Sequence, residues 1–67
     1  MTAPSIETDR ERVALAVSTT PGLTTRELAE ALGMTIRHAL TDLRYLERNG
    51  RVERWHDGFA CRWFPPW

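Results

Sequence analysis

The chain is 67 residues long, enough for one small domain that buries only about 60% of the surface its unfolded chain exposes. An apolar fraction of 42% and a charged fraction of 27% are ordinary globular values and exclude a disordered tail, a collagen-like repeat and a coiled coil. Nine arginines balance nine acids with no lysine present, the lone Cys61 closes no internal disulfide, and the longest apolar run, Val13 to Val17, is too short to span a membrane.

With only His38 and His56 beside Cys61, no four-ligand zinc set is spaced for binding and no cofactor is implied. No basic-then-apolar segment opens the chain, so a soluble, cytoplasmic protein is expected. The charge is unevenly spread. Residues 1–34 hold three arginines against five acids and residues 35–67 hold six against four, so the second half is the basic one.

In chain order, residues 1–7 read as a tail, 8–64 as the folded domain and 65–67 as a short aromatic-proline end. Thr8-Asp9-Arg10-Glu11 fits a capping box, which starts a first helix with Val13, Ala14, Ala16 and Val17 as its apolar face. Ser18 to Gly22 stops it. Leu23 follows as a buried extended residue. Thr24 and Glu27 repeat the capping spacing and open a second helix running to Leu32, with Leu28, Ala31 and Leu32 inward and Gly33 ending it. Met34 is a buried connector, Thr35 caps a third helix reaching Arg48 or Asn49, and Gly50 terminates it.

The third helix separates into two faces. Ile36, Ala39, Leu40, Leu43 and Leu46 cluster as a core side, whereas Arg37, His38, Thr41, Tyr45 and Arg48 occupy the other, with Arg44 at the flank. Asp42 falls near that second side. After Gly50 the period changes to two. Asp57-Gly58 signals a two-residue hairpin loop, which pairs Val52 with Trp63, Glu53 with Arg62, Arg54 with Cys61 and Trp55 with Ala60. That register puts Val52, Phe59, Cys61 and Trp63 on the inner face and makes Glu53–Arg62 a cross-strand ion pair.

Helix, short strand, helix, helix and two-stranded hairpin make an α+β, mainly helical order of elements. It resembles the bacterial winged helix-turn-helix domains of MarR-like and IclR-like transcription regulators. The residues carrying the likeness are Leu23 to Thr35, with Ala29 and Gly33 at family spacing, then Leu43, Leu46 and the passage Asn49-Gly50-Arg51-Val52-Glu53-Arg54. The resemblance implies a sequence-specific double-stranded DNA-binding protein, a small transcriptional regulator or repressor of bacterial or phage type, acting as a homodimer. It implies that Arg37, His38, Thr41 and Tyr45 approach base edges while Thr25, Arg26, Arg44 and Arg48 meet phosphates. Arg54, His56 and Arg62 then belong to the wing. Arg37 is the guanine reader, because its planar fork matches the O6/N7 acceptor pair.

The rival reading is a winged-helix protein-interaction module, such as an antirepressor or an inhibitory subunit. Its support is the neutral charge, Asp42, and an aromatic surface formed by Trp55, Phe64 and Trp67. Cys61 is expected inward, as a small unreactive hydrophobe. No Ser/His/acid, Cys/His or paired-carboxylate set is spaced for catalysis, so an enzyme is not expected.

Overall fold

In the computed structural model, which describes residues 6–66, three helices and three short strands follow one another as expected. They are α1 (Ile6–Thr19), β1 (Leu23–Thr24), α2 (Thr25–Leu32), α3 (Ile36–Arg48), β2 (Glu53–His56) and β3 (Cys61–Phe64). The strands form one antiparallel sheet in the order β1-β3-β2, so the last strand lies in the middle. The helices pack on one another, and α1 and α2 also pack against β3.

Local chemistry explains the α2 and α3 boundaries. Thr24 Oγ1 accepts the Glu27 N–H at 3.2 Å while Glu27 Oε1 accepts the Thr24 N–H at 2.9 Å, completing a capping box at the start of α2. Gly33 ends that helix at φ +69, a left-handed conformation that a side chain disfavours. The Met34 N–H reaches the Ala29 carbonyl at 2.9 Å, as in a Schellman motif. Thr35 Oγ1 accepts the His38 N–H at 3.0 Å and opens α3, and Arg51 N–H to Leu46 O at 2.8 Å closes it.

The start of α1 differs from the expectation. The helix begins at Ile6, so Thr8 lies inside it and not at its cap. Glu11, expected to reach back to that cap, instead accepts both Arg51 Nη1 at 2.7 Å and Nη2 at 3.0 Å, a bidentate pair that ties α1 to the segment after α3.

The core consists of Val13 and Val17 from α1, Leu28 from α2, Leu43 and Leu46 from α3, Val52, and Trp63 from β3. Trp63 is 1% exposed, and its indole N–H donates to Thr25 Oγ1 at 2.9 Å, which satisfies the one polar atom such a ring takes into a core. Leu23 pairs with Trp63 across β1–β3, and Gly22 N–H bonds Trp63 O at 2.8 Å. Two helical residues expected inward are not: Ala31 is exposed on α2, where Ala29 takes the buried position, and Ile36 is 46% exposed at the first turn of α3.

The hairpin register is displaced by two residues from the expected one. His56 pairs with Cys61, Trp55 with Arg62, Arg54 with Trp63 and Glu53 with Phe64. The cause is the Asp57 side chain. Its Oδ1 accepts the N–H groups of Phe59 and Ala60, each at 2.9 Å, and its Oδ2 takes Arg62 Nε at 2.6 Å. These bonds make Asp57 the corner of the turn and leave Gly58, at φ +97, and Phe59 as its central pair. A two-residue shift conserves faces, so Val52 and Trp63 stay buried. Phe59, however, moves to the tip, where it is 96% exposed, and Cys61 is only half-buried. The expected Glu53–Arg62 pairing gives way to Arg62–Asp57.

Candidate nucleic-acid interface

At 100° per residue, Arg37, Thr41, Arg44 and Arg48 share the outer face of α3, and all four are exposed. The Thr35 cap fixes the first turn beneath Arg37, and Leu43 and Leu46 hold the back of the helix in the core. Thr41 Oγ1 donates to the Arg37 carbonyl at 2.9 Å, which leaves the hydroxyl oxygen free to accept.

The arginines divide into two groups. Arg10, Arg12, Arg51, Arg54 and Arg62 are each paired with a carboxylate. Among the described residues, Arg37, Arg44 and Arg48 on α3 and Arg26 in the first turn of α2 have no ion pair. Acids thus neutralise guanidinium groups elsewhere and leave this face positive. Neutrality of the whole chain conceals a local field.

His38 and Tyr45 stand at the edge of the face nearest α1 and have partners within the molecule. His38 Nε2 lies 3.5 Å from Asp9 Oδ2 and 3.3 Å from Asp42 Oδ2. The Arg10 guanidinium stacks over the Tyr45 ring at 3.7 Å from its centroid. Asp42 is not on the outer face. It is 1% exposed, turned toward α1, with Arg10 Nε 3.5 Å from its Oδ1. Burial raises its carboxyl pKa, opposed by the neighbouring His38 and Arg10. Asp42 thus faces Arg10 and His38 and not the outer face of α3. Arg10, Thr41, Arg44, Tyr45 and Arg48 together line a shallow depression of about 470 Å³. Arg10 was not singled out by sequence, because the ring and carboxylate it serves lie on a helix distant in the chain.

At the start of α2, Thr25 is engaged by the Trp63 indole, whereas Arg26 projects to solvent. In the hairpin, Arg54 Nε is 3.5 Å from Glu47 Oε2, with its guanidinium 6.0 Å from the Trp63 ring centroid. Exposed His56 accepts the Gly58 N–H at Nδ1, 3.1 Å. Arg62 is pinned by Asp57 and by donation to Gly22 O at 2.8 Å. Asp57, held by Arg62 and by the Ala60 and Phe59 N–H groups, titrates well below the usual carboxylate range. Of the expected wing residues, His56 is the one at the tip. Trp55, 53% exposed, lines an apolar groove of about 430 Å³ with Pro21, Phe64, Pro65 and Pro66. Trp67 lies outside the described residues.

Among the described residues no group of three or more His, Cys, Asp or Glu side chains is placed to hold a metal ion. No helix among them is long and apolar enough to cross a membrane.

A capped helix-turn-helix pair backed by α1, followed by a hairpin whose second strand adds to a short strand before α2, is a winged helix-turn-helix. Solved structures share it. A protein from Bacteroides thetaiotaomicron superposes with a TM-score of 0.82 at 15% identity, covering 90% of this chain and 73% of that one. The multiple antibiotic-resistance repressor of Listeria monocytogenes matches with a TM-score of 0.78 at 17% identity, over 87% of this chain and 40% of the repressor. A viral Zalpha domain, solved bound to left-handed Z-DNA, also gives a TM-score of 0.78, at 16% identity, and covers 97% of this chain and 96% of its own. The chain therefore spans less than half of the Listeria repressor but nearly all of the viral domain. No family model matches the sequence, and no curated protein is significantly similar to it.

Proposed function

We propose that this chain is a sequence-specific double-stranded DNA-binding protein, a small transcriptional regulator that seats α3 in the major groove with the Glu53–Phe64 hairpin as its wing. The observation that carries this reading is the set of exposed, unpaired guanidinium groups of Arg37, Arg44 and Arg48 on one face of α3. A helix with its back in the core and such a face outward fits a groove about 12 Å wide. The fold likeness to a repressor and to a domain bound to DNA supports the same reading.

Arg37, in the first turn of α3, reads guanine, and Thr41 reaches the next base edges. Arg44, Arg48 and Arg26 meet phosphates, with the free amides of the α2 start helping to hold one. His56 approaches the backbone from the wing. His38, Tyr45 and Thr25 contribute by holding the helices in place, given the partners they already have. One module buries only about 600–1,000 Å² on DNA, so a homodimer on two half-sites supplies the remaining affinity.

The test is fluorescence anisotropy of a labelled pool of random short duplexes across a salt series. Binding that weakens steeply with salt, and that loses sequence preference in Arg37→Ala, is expected. A chain that binds no duplex at low salt refutes the proposal. The groove beside Trp55 favours a second reading, a protein-interaction module, and that result together with a protein partner lost in Trp55→Ala would establish it.

A further inference from the structure

The outer face of α3 is not wholly polar. Ile36 and Leu40 lie one turn apart on the row that continues to Arg44, directly beside the row of Arg37, Thr41 and Arg48. Leu40 packs partly against the core; Ile36 is not part of that packing and is 46% exposed. Resting on the DNA-binding reading, we infer that Ile36, backed by Leu40, reads the C5 methyl group of a thymine next to the guanine met by Arg37.

The geometry gives three reasons. Ile36 immediately precedes Arg37 in the first turn of α3, so its side chain, turned about 100° round the helix axis from the guanidinium, flanks the part of the helix that meets the guanine. A β-branched side chain in a helix holds essentially one χ1 rotamer, so its methyl edge is positioned before binding and loses little freedom on contact. The Thr35 cap fixes the turn on which Ile36 stands. The occupant is specified by charge as well: the adjacent unpaired guanidinium groups select a polyanion, and thymine is the base that shows an apolar group in the major groove.

Replacing thymine by deoxyuridine deletes that methyl and leaves every hydrogen-bonding group in place. Duplexes selected from a random thymine library are remade with deoxyuridine and titrated against the wild type, Ile36→Ala and Ile36→Val. Each is checked by circular dichroism, and the exposure of Ile36 lets all three fold. The wild type should bind the deoxyuridine form about fourfold more weakly per contacted thymine, the equivalent of one buried methylene-sized group. Ile36→Val should keep the preference. Ile36→Ala should bind the thymine duplex as weakly as the wild type binds the deoxyuridine one, with no further loss when the methyl is removed. Equal wild-type affinity for both forms, or a preference that survives in Ile36→Ala, overturns the inference and leaves DNA binding standing. Recovery of no duplex at low salt removes both.

Discussion

His38 and Asp42, one turn apart on α3, are joined across a boundary between solvent and core: His38 Nε2 lies 3.3 Å from the Oδ2 of a carboxylate that is 1% exposed. The same imidazole nitrogen faces Asp9 on α1, and Arg10, stacked on Tyr45, faces Asp42 from the other side. Neither Asp42 Oδ2 nor Arg10 Nε has a partner in hydrogen-bond geometry, so attraction here is Coulombic and incomplete. α1 and α3 are thus held together by a charge cluster in which desolvation outweighs the favourable pairs, as the raised Asp42 pKa records.

The sign of the pH dependence follows. A carboxyl group whose pKa is higher folded than unfolded makes the folded state bind the proton more tightly, so stability falls as pH rises from the ordinary aspartate range through the raised folded value. Asp42→Asn should flatten that interval in urea melts. At neutral pH it should leave the unfolding free energy unchanged or raise it, because the neutral amide sheds the desolvation that raises the Asp42 pKa. A loss of several kcal/mol at neutral pH would show that the pairing with His38 and Arg10 wins instead.

The Trp63 indole is the largest fully buried side chain and also the link from the sheet to the start of α2. Trp63→Ala should cost about 3–5 kcal/mol, a large part of the stability of a domain this small. Thr25→Ala removes only the indole's acceptor and should cost about 1–3 kcal/mol. Thermal melts by circular dichroism read both. If Thr25→Ala leaves the melt unchanged while DNA affinity falls, its main role is phosphate contact.

Asp57 organises the wing tip. Its depressed pKa means that its contribution is fully present above the ordinary carboxylate range and is shed only as pH falls through the lower folded value. Asp57→Ala should therefore speed amide exchange at Phe59 and Ala60 and release Arg62, while amides of Leu28, Leu43 and Leu46 keep their protection. Unchanged exchange at the tip would mean that Gly58 and the strand ladder set the turn by themselves.

What was legible in the sequence and what was not divides by range. Thr24 with Glu27, Thr35 with the His38 amide, and Gly33 act within a few residues, so their spacing alone announces α2 and α3. Asp42 has no such signal, since its turn toward α1 depends on Arg10 across an interhelical contact. The hairpin register turns on competition between two adjacent turns. Asp-Gly patterning favours the earlier placement, but the carboxylate of Asp57 caps the later one and is locked there by Arg62, whose other end is held at Gly22. The outer arginines were recognisable from periodicity, yet their lack of partners was not, because which acids reach which guanidinium groups is settled only by the fold.

Arg37 and Arg48 share a face but sit at opposite ends of α3, and their proposed roles separate in a salt titration. Arg48→Ala should weaken binding to all duplexes alike and reduce the slope of log affinity against log salt by about 0.9, the counterion released by one phosphate contact. Arg37→Ala should cost about 1–3 kcal/mol on the preferred sequence and relax choice at a single base position. The two measurements distinguish reading from positioning because counterion release is blind to sequence. If both variants change only the slope, α3 lies along the backbone without entering the groove, and sequence preference must come from the shape and deformability of the duplex.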